Sequence, residues 1–270
     1  MPSNSASLPP RDNAVLITGA AKRLGREIAL AMAKAGWDVV LHARESMEEA
    51  HAVMRDVQSM GRQAICIAAD LDDAASIHTL FQRAVEAFPN LCAVVNSASQ
   101  FLFDRPHDVT AKALESHYRC NLIAPVLLTQ HLHAHCAQTV QAGSPPAGVV
   151  IHLLDQKLAN PNPDFFAYTL SKSALLEATR LTAMAFAPVL RVVGVAPGIT
   201  LPSADQTPDE FKTTHAMTPL GASSYPHEVA DAVVWLAQAR AITGTWLLVD
   251  GGQHLMAQPR DVMMMIRPPC

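Results

Sequence analysis

The chain has 270 residues, half of them hydrophobic and only 16% charged, enough to bury a sizeable core within one α/β unit. A formal charge of −4 with no long basic block excludes the electrostatic footprint of a nucleic-acid binder or a protein drawn to anionic membranes. Five cysteines (Cys66, Cys92, Cys120, Cys136 and Cys270) without CxxC spacing argue against a disulfide framework and for reduced thiols in a cytoplasmic protein.

Residues 1–12 carry no apolar signal core and read as a disordered lead-in. No stretch reaches the roughly 18 apolar residues of a membrane span, so neither secretion nor a membrane role is expected. Ala14 to Thr18 is a short apolar run, read as a buried parallel strand. Leu24 to Ala35 has helical spacing, and Asp38 to His42 is a second strand. The alternation continues with strand Ala64–Ala69, helix Ala74–Phe88, strand Ala93–Asn96 and helix Ala111–His135. Then come strand Gly148–Leu154, helix Ala167–Phe186, strand Arg191–Val195, helix Pro226–Ala239 and strand Thr245–Val249. About seven strands alternating with helices predict a Rossmann-type doubly wound parallel sheet with helices on both faces, a single domain over residues 13–255.

Two stretches break the rhythm. Gln141 to Ala147 reads as a Gly/Ser/Pro surface loop. Leu201 to Tyr225 is long and contains Pro202, Pro208 and Pro219. It follows the end of a strand, where ligands bind in open α/β sheets, and is read as a lid, with an ordinary helical insertion as the alternative.

Between the first strand and helix stands TGAAKRLG, Thr18 to Gly25. Gly19 permits a tight turn, Ala20 and Ala21 leave backbone N–H groups open to an anion, and Gly25 lets the helix approach the sheet. A strand before it and a helix after it make this the setting of a dinucleotide site. Lys22, Arg23 and Leu24 accompany the turn. At the end of the second strand His42, Arg44, Glu45 and Ser46 stand where a ribose would be reached. Arg23, Arg44 and Ser46 favour a 2′-phosphate, whereas Glu45 favours the free hydroxyl. NADP(H) is therefore preferred, with NAD(H) retained. Asp70 and Leu71 end the third strand, and Asp70 is assigned to adenine or, alternatively, to a helix cap.

Tyr168 and Lys172, in YTLSK, lie four residues apart on one helix face. A neighbouring cation is expected to lower the phenol's pKa, fitting Tyr168 to move a proton while a substrate gains hydride. No metal site is read. The three alternating histidines His131, His133 and His135 are expected to point in different directions along their helix.

Along Ala14 to His254 these motifs resemble the short-chain dehydrogenase/reductase family. They are TGAAKRLG, NSAS (Asn96, Ser97, Ala98, Ser99), Asn121, YTLSK, Pro197-Gly198 and VDGG from Val249. The resemblance implies Tyr168 as acid/base, Lys172 on the nicotinamide ribose, Asn121 anchoring a relay water, and the NSAS and Pro197-Gly198 loops on the cofactor. Where that family has serine at the end of the strand before the tyrosine, this chain has Asp155. A carboxyl can deliver a proton and pair with an N–H edge, as a nitrogen heterocycle requires. The same residue, with Ser99 and Phe101, is similar to the pteridine and dihydromonapterin reductases. That implies Ser99 and Phe101 on the substrate, and Asp155 and Tyr168 on the pterin's edge.

The expected activity is reduction of a dihydropterin, such as dihydromonapterin or dihydrobiopterin, by NADPH. A reductase of another carbonyl or imine and a catalytically silent cofactor-binding regulator are the alternatives. Residues 256–270, with a run of methionines, are expected to pack on a neighbouring subunit, or on their own, in a homo-oligomer (dimer or tetramer).

Overall fold

The computed structural model describes residues 13–138, 147–203 and 206–266. The lead-in, most of the Gln141–Ala147 loop and the last four residues of the tail lie outside them. Seven strands form one parallel sheet: β1 Ala14–Thr18, β2 Asp38–Ala43, β3 Ala64–Ala68, β4 Leu91–Asn96, β5 Gly148–Leu153, β6 Leu190–Pro197 and β7 Trp246–Val249. Their spatial order is β3-β2-β1-β4-β5-β6-β7. The chain winds outward from β1 to β3, then returns to place β4 on β1's other side. This reversal opens a crevice at the strands' C-terminal ends.

The nine helices among the described residues are α1 Arg23–Lys34, α2 Met47–Ser59, α3 Ala74–Ala87, α4 Ala111–Tyr118, α5 Ala124–Cys136, α6 Phe166–Ala185, α7 Pro208–Ala216, α8 Pro226–Gln238 and α9 Val262–Ile266. Because the strands are covered on both sides, they are apolar along their whole length rather than alternating. One face packs Ile28 and Met32 of α1 and Val229 and Val233 of α8 against Val15, Ile17 and Val39. The other packs Leu80 and Phe81 of α3 and Leu128 and Leu132 of α5 against Leu16, Val40 and Val94.

The structure adds to the sequence reading in several places. Helix α2, unassigned from sequence, buries only the narrow stripe Ala50, Val53 and Val57. The single helix expected over Ala111–His135 is α4 and α5 joined by a π turn, Arg119–Ile123. The long connection Leu201–Tyr225 carries α7, started by a capping box in which Thr207 and Glu210 satisfy each other's backbone N–H groups. His131 and His135 do share a helix face, contrary to expectation. Their spacing of four residues brings both rings onto Phe81, while His133 stacks on Phe186.

Candidate active site

The crevice at the β1/β4 reversal holds a cavity of about 890 Å3. At one end lies the phosphate-type loop. Gly19 has φ +66° and presses on Ala98, where a Cβ would come within 3.0 Å of the Ala98 Cα. A Cβ on Gly25 would stand 2.1 Å from the Gly19 carbonyl oxygen, so only glycine lets α1 begin so close to the turn. Helix α1 has no side-chain cap and no acidic residue in its first turn, which leaves its positive end turned to an anion.

Buried His42 steadies the turn. Its Nδ1 accepts from the Gly19 N–H at 3.2 Å while Nε2 lies 3.1 Å from the Ala69 carbonyl, which makes the ring neutral with its proton on Nε2. Burial, against the pull of the Ala69 carbonyl and Asp70, holds its pKa below the usual value. Thr18 Oγ1 accepts from the N–H groups of Ser97 and Ala98, both at 3.0 Å, tying the ends of β1 and β4 together.

Lys22, Arg23, Leu24 and Arg44 line this end, as do Asp70 and Leu71. Arg23 is left-handed, φ +54°, and donates to the Pro202 carbonyl at 2.9 Å, so the loop touches the long connection directly. Arg44 faces the cavity, whereas Glu45, beside it at 3.3 Å, does not line it. Ser46 is also absent from the lining; it occupies the N-cap position of α2. The helix-cap alternative for Asp70 is corrected. Asp73 caps α3, accepting from Ala75 and Ser76, while Asp70 Oδ1 accepts from the Asp72 N–H at 3.0 Å.

Ser97, Ala98, Ser99, Pro197 and Gly198 reach the cavity. Asn96 does not: it is buried below, paired with His152 at 3.1 Å. Asn121 also stands behind the wall. Its Nδ2 donates to Ser171 Oγ at 2.9 Å and the Gln100 carbonyl at 3.0 Å, and its Oδ1 accepts from the Gln100 N–H at 2.8 Å. These bonds fasten the loop carrying Ser99 and Phe101 to α6. The π turn aims Asn121 inward where an unbroken α-helix would have turned it elsewhere.

The other end of the cavity holds Tyr168, Asp155 and Lys172. Tyr168 donates its hydroxyl to Asp155 Oδ2 at 2.7 Å. Asp155, two residues past the end of β5, is in extended backbone and accepts the Lys157 N–H at 2.8 Å through Oδ1. Burial raises the Asp155 carboxyl above the usual range, and the bonds from Lys157 and Tyr168 oppose it. Tyr168 is raised well above 10, first by burial and then by the neighbouring Asp155 carboxylate. Lys172 does not reverse this. Its Nζ donates to the Leu153 carbonyl at 2.7 Å and lies 5.8 Å from the Tyr168 ring centre, and burial brings its own pKa down to about 8.

Phe165, Asp104 and Lys157, which sequence reasoning passed over, complete this end around Phe101. Phe101 stacks on Phe165 at 4.2 Å and meets Tyr168 edge-on at 4.7 Å. Phe165 is left-handed, φ +53°, immediately before α6, and Asp104 accepts the Ala167 N–H at 3.1 Å to cap that helix. Lys157 is almost wholly buried beneath the Phe165 ring. The DFF triplet ahead of YTLSK was the available signal: an acid and two aromatics where a plain helix entry needs neither.

A family model described as enoyl-(acyl carrier protein) reductase matches residues 19–254. An uncharacterized oxidoreductase of Mycobacterium tuberculosis is 33% identical over 247 residues, covering 89% of this chain and 92% of the relative. Pteridine reductase 1 of Leishmania tarentolae is 29% identical over 286 residues, covering 91% and 98%. Among solved structures, FolM alternative dihydrofolate reductase 1 of Brucella suis in complex with NADP superposes with a TM-score of 0.84 at 33% identity, covering 91% of this chain and 96% of that one. The family model extends from the glycine turn to the residues after the last strand, over the Gly19, Ser97, Ala98, Ser99, Asp155, Tyr168 and Lys172 positions just described. The chain thus belongs to the short-chain dehydrogenase/reductase family of oxidoreductases.

Proposed function

We propose that the protein is an NADPH-dependent reductase of a pterin ring, and the observation that carries this is the 2.7 Å bond from Tyr168 to Asp155. A serine in Asp155's place could orient a carbonyl oxygen. A buried carboxyl with a raised pKa can do more: it can hold a proton, or accept from the N–H edge of a heterocycle. Phe101, half open to the cavity and braced by Phe165, offers a flat face to a flat ring. The names of the Leishmania and Brucella relatives point the same way.

The glycine cradle at Gly19 and Gly25 and the uncapped start of α1 fit a dinucleotide's phosphates. Arg44 in the lining and Glu45 outside it favour a 2′-phosphate over a free hydroxyl. Bound NADPH would supply the hydride. Tyr168, protonated throughout the working range, would deliver its proton to the ring nitrogen beside the reduced carbon. The Lys172 ammonium, held beside the crevice by the Leu153 carbonyl, would grip the nicotinamide ribose, and Asp155 would orient the phenol before transfer. Catalytic roles are proposed for Tyr168, Asp155 and Lys172, and a positioning role for Asn121.

The test is NADPH and NADH oxidation against a panel of dihydropterins, dihydrofolate and simple ketones, with the wild type and Asp155→Ser. Pterin turnover with NADPH preferred, and a larger loss in Asp155→Ser for pterins than for ketones, is the expected result. Ketone turnover alone, or equal losses, would favour the carbonyl-reductase reading instead.

A further inference from the structure

The cavity end that holds Tyr168 is walled in part by this chain's own C-terminal segment. Beyond the last strand the chain turns back, and Arg260 grips Asp164 with two parallel bonds, Nε to Oδ2 at 2.7 Å and Nη2 to Oδ1 at 2.8 Å. The Asp261 N–H adds a third bond to Asp164 Oδ2 at 2.9 Å. Asp164 is only 2% exposed. Burial works to raise its pKa, but the Arg260 guanidinium, the Asp261 N–H and Lys157 outweigh it and hold the carboxyl below the usual range. Lys157 ties the arrangement to the reactive end. Its Nζ donates to the Asp164 carbonyl and lies 3.6 Å from the Asp261 carboxylate, while its N–H is bonded to Asp155.

The consequence is geometric. Asp261, Val262 and Met263 line the same cavity as Asp155, Lys157 and Tyr168, and Val262 and Met263 are buried. An unclasped tail would leave this side of the cavity open to water. A bidentate guanidinium–carboxylate pair fixes direction as well as distance, so it can hold a short segment in register where a single contact would let it swing.

We propose that Arg260 is a positioning residue: by clasping Asp164 it holds residues 261–263 as the wall of the substrate end, and so sets substrate affinity and the size of substrate admitted. The proposal deepens the reductase reading and rests on it for the occurrence of turnover, but not for the identity of the substrate as a pterin.

The test uses the full-length enzyme with NADPH and whichever compound it turns over best. Arg260→Ala should raise the KM for that compound about tenfold or more, because the wall's contacts with bound substrate are lost alike in ground and transition state. It should leave kcat within about threefold and the NADPH Kd, read by fluorescence titration, within about twofold, since the phosphate end makes no contact with the clasp. Arg260→Lys, which keeps the charge but loses the fork, should recover part of the loss. Met263→Trp keeps the clasp and fills the wall. It should lower kcat/KM for the bulkiest accepted substrate more than for the smallest.

An unchanged substrate KM in Arg260→Ala would overturn the proposal, as would a parallel loss of NADPH binding. Equal effects of Met263→Trp on large and small substrates would remove 261–263 from the wall, and this result stays readable if Arg260→Ala folds poorly. Should the substrate prove not to be a pterin, the same split is measured with the compound that is reduced. The two readings can therefore fail separately.

Discussion

At the scale of single residues the decisive relation is between Tyr168 and its two charged neighbours. Spacing alone led to the expectation that Lys172 would lower the tyrosine's pKa. Burial and the Asp155 carboxylate instead raise it well above 10, because Asp155 is in direct contact while Lys172 is spent on the Leu153 carbonyl. On the proposed function, Tyr168 therefore serves as a proton donor in the reductive direction. Tyr168→Phe should lower kcat by about a hundredfold or more, the usual contribution of a positioned acid, with NADPH affinity preserved in a fluorescence titration. Lys172 sets a pH limb. With its pKa near 8, the reductive rate should fall above about pH 8 as the ammonium proposed to hold the cofactor ribose is lost. Lys172→Arg should move that fall to higher pH. Stability has the opposite sign. The native state holds Lys172 at about 8 against 10.5 unfolded, so between those values it binds fewer protons than the unfolded chain, and this group makes stability rise with pH. Rate profiles and melting temperatures recorded together across pH 7 to 10 would separate the two; a melting temperature falling in step with the rate would contradict the assignment.

At the scale of elements, the site depends on how closely segments can approach. Gly25→Ala would drive a methyl group to 2.1 Å from the Gly19 carbonyl, and backbone atoms cannot move aside as a flexible side chain can. About 1–3 kcal/mol of destabilisation is expected from such overpacking, together with loss of NADPH affinity as the turn shifts. Thermal denaturation with and without NADPH checks both: the stabilisation by cofactor expected of the wild type should shrink in the variant. The π turn between α4 and α5 is a second such device. It inserts one extra residue's worth of rotation, so that Asn121 reaches Gln100 and Ser171 together and locks the Phe101 loop to the helix of Tyr168. The segment read as a lid is a capped helix, α7, linked to the phosphate loop through Arg23 and Pro202.

At the scale of the molecule, one sheet with its strand order reversed between β1 and β4 gathers segments following all seven strands onto one cavity. The outer faces leave Leu181 and Met184 of α6 and Trp235 of α8 strongly exposed. We expect such apolar surface to be covered by further copies, so light scattering on a sizing column should give a multiple of 29.0 kDa, and a species at 29.0 kDa would refute this. Much of this was legible in the sequence. Strand and helix periodicity, the glycine turn and YTLSK are local patterns, because backbone conformation and helix spacing are set by near neighbours. They sufficed for the parallel sheet and for the glycine turn between β1 and α1, while the resemblance to the family singled out Asp155, which the structure places against Tyr168. What only the tertiary structure decided were relations between residues far apart in the chain. Asn96 and Asn121 lie behind the cavity rather than in it, Glu45 is not in its lining, and α2 buries too thin a stripe to announce itself. Arg260 finds Asp164 across nearly a hundred positions, and no local pattern encodes that pairing. The sequence by itself determined which groups could do chemistry. Burial, which depends on everything packed around a group, decided which of them hold their protons.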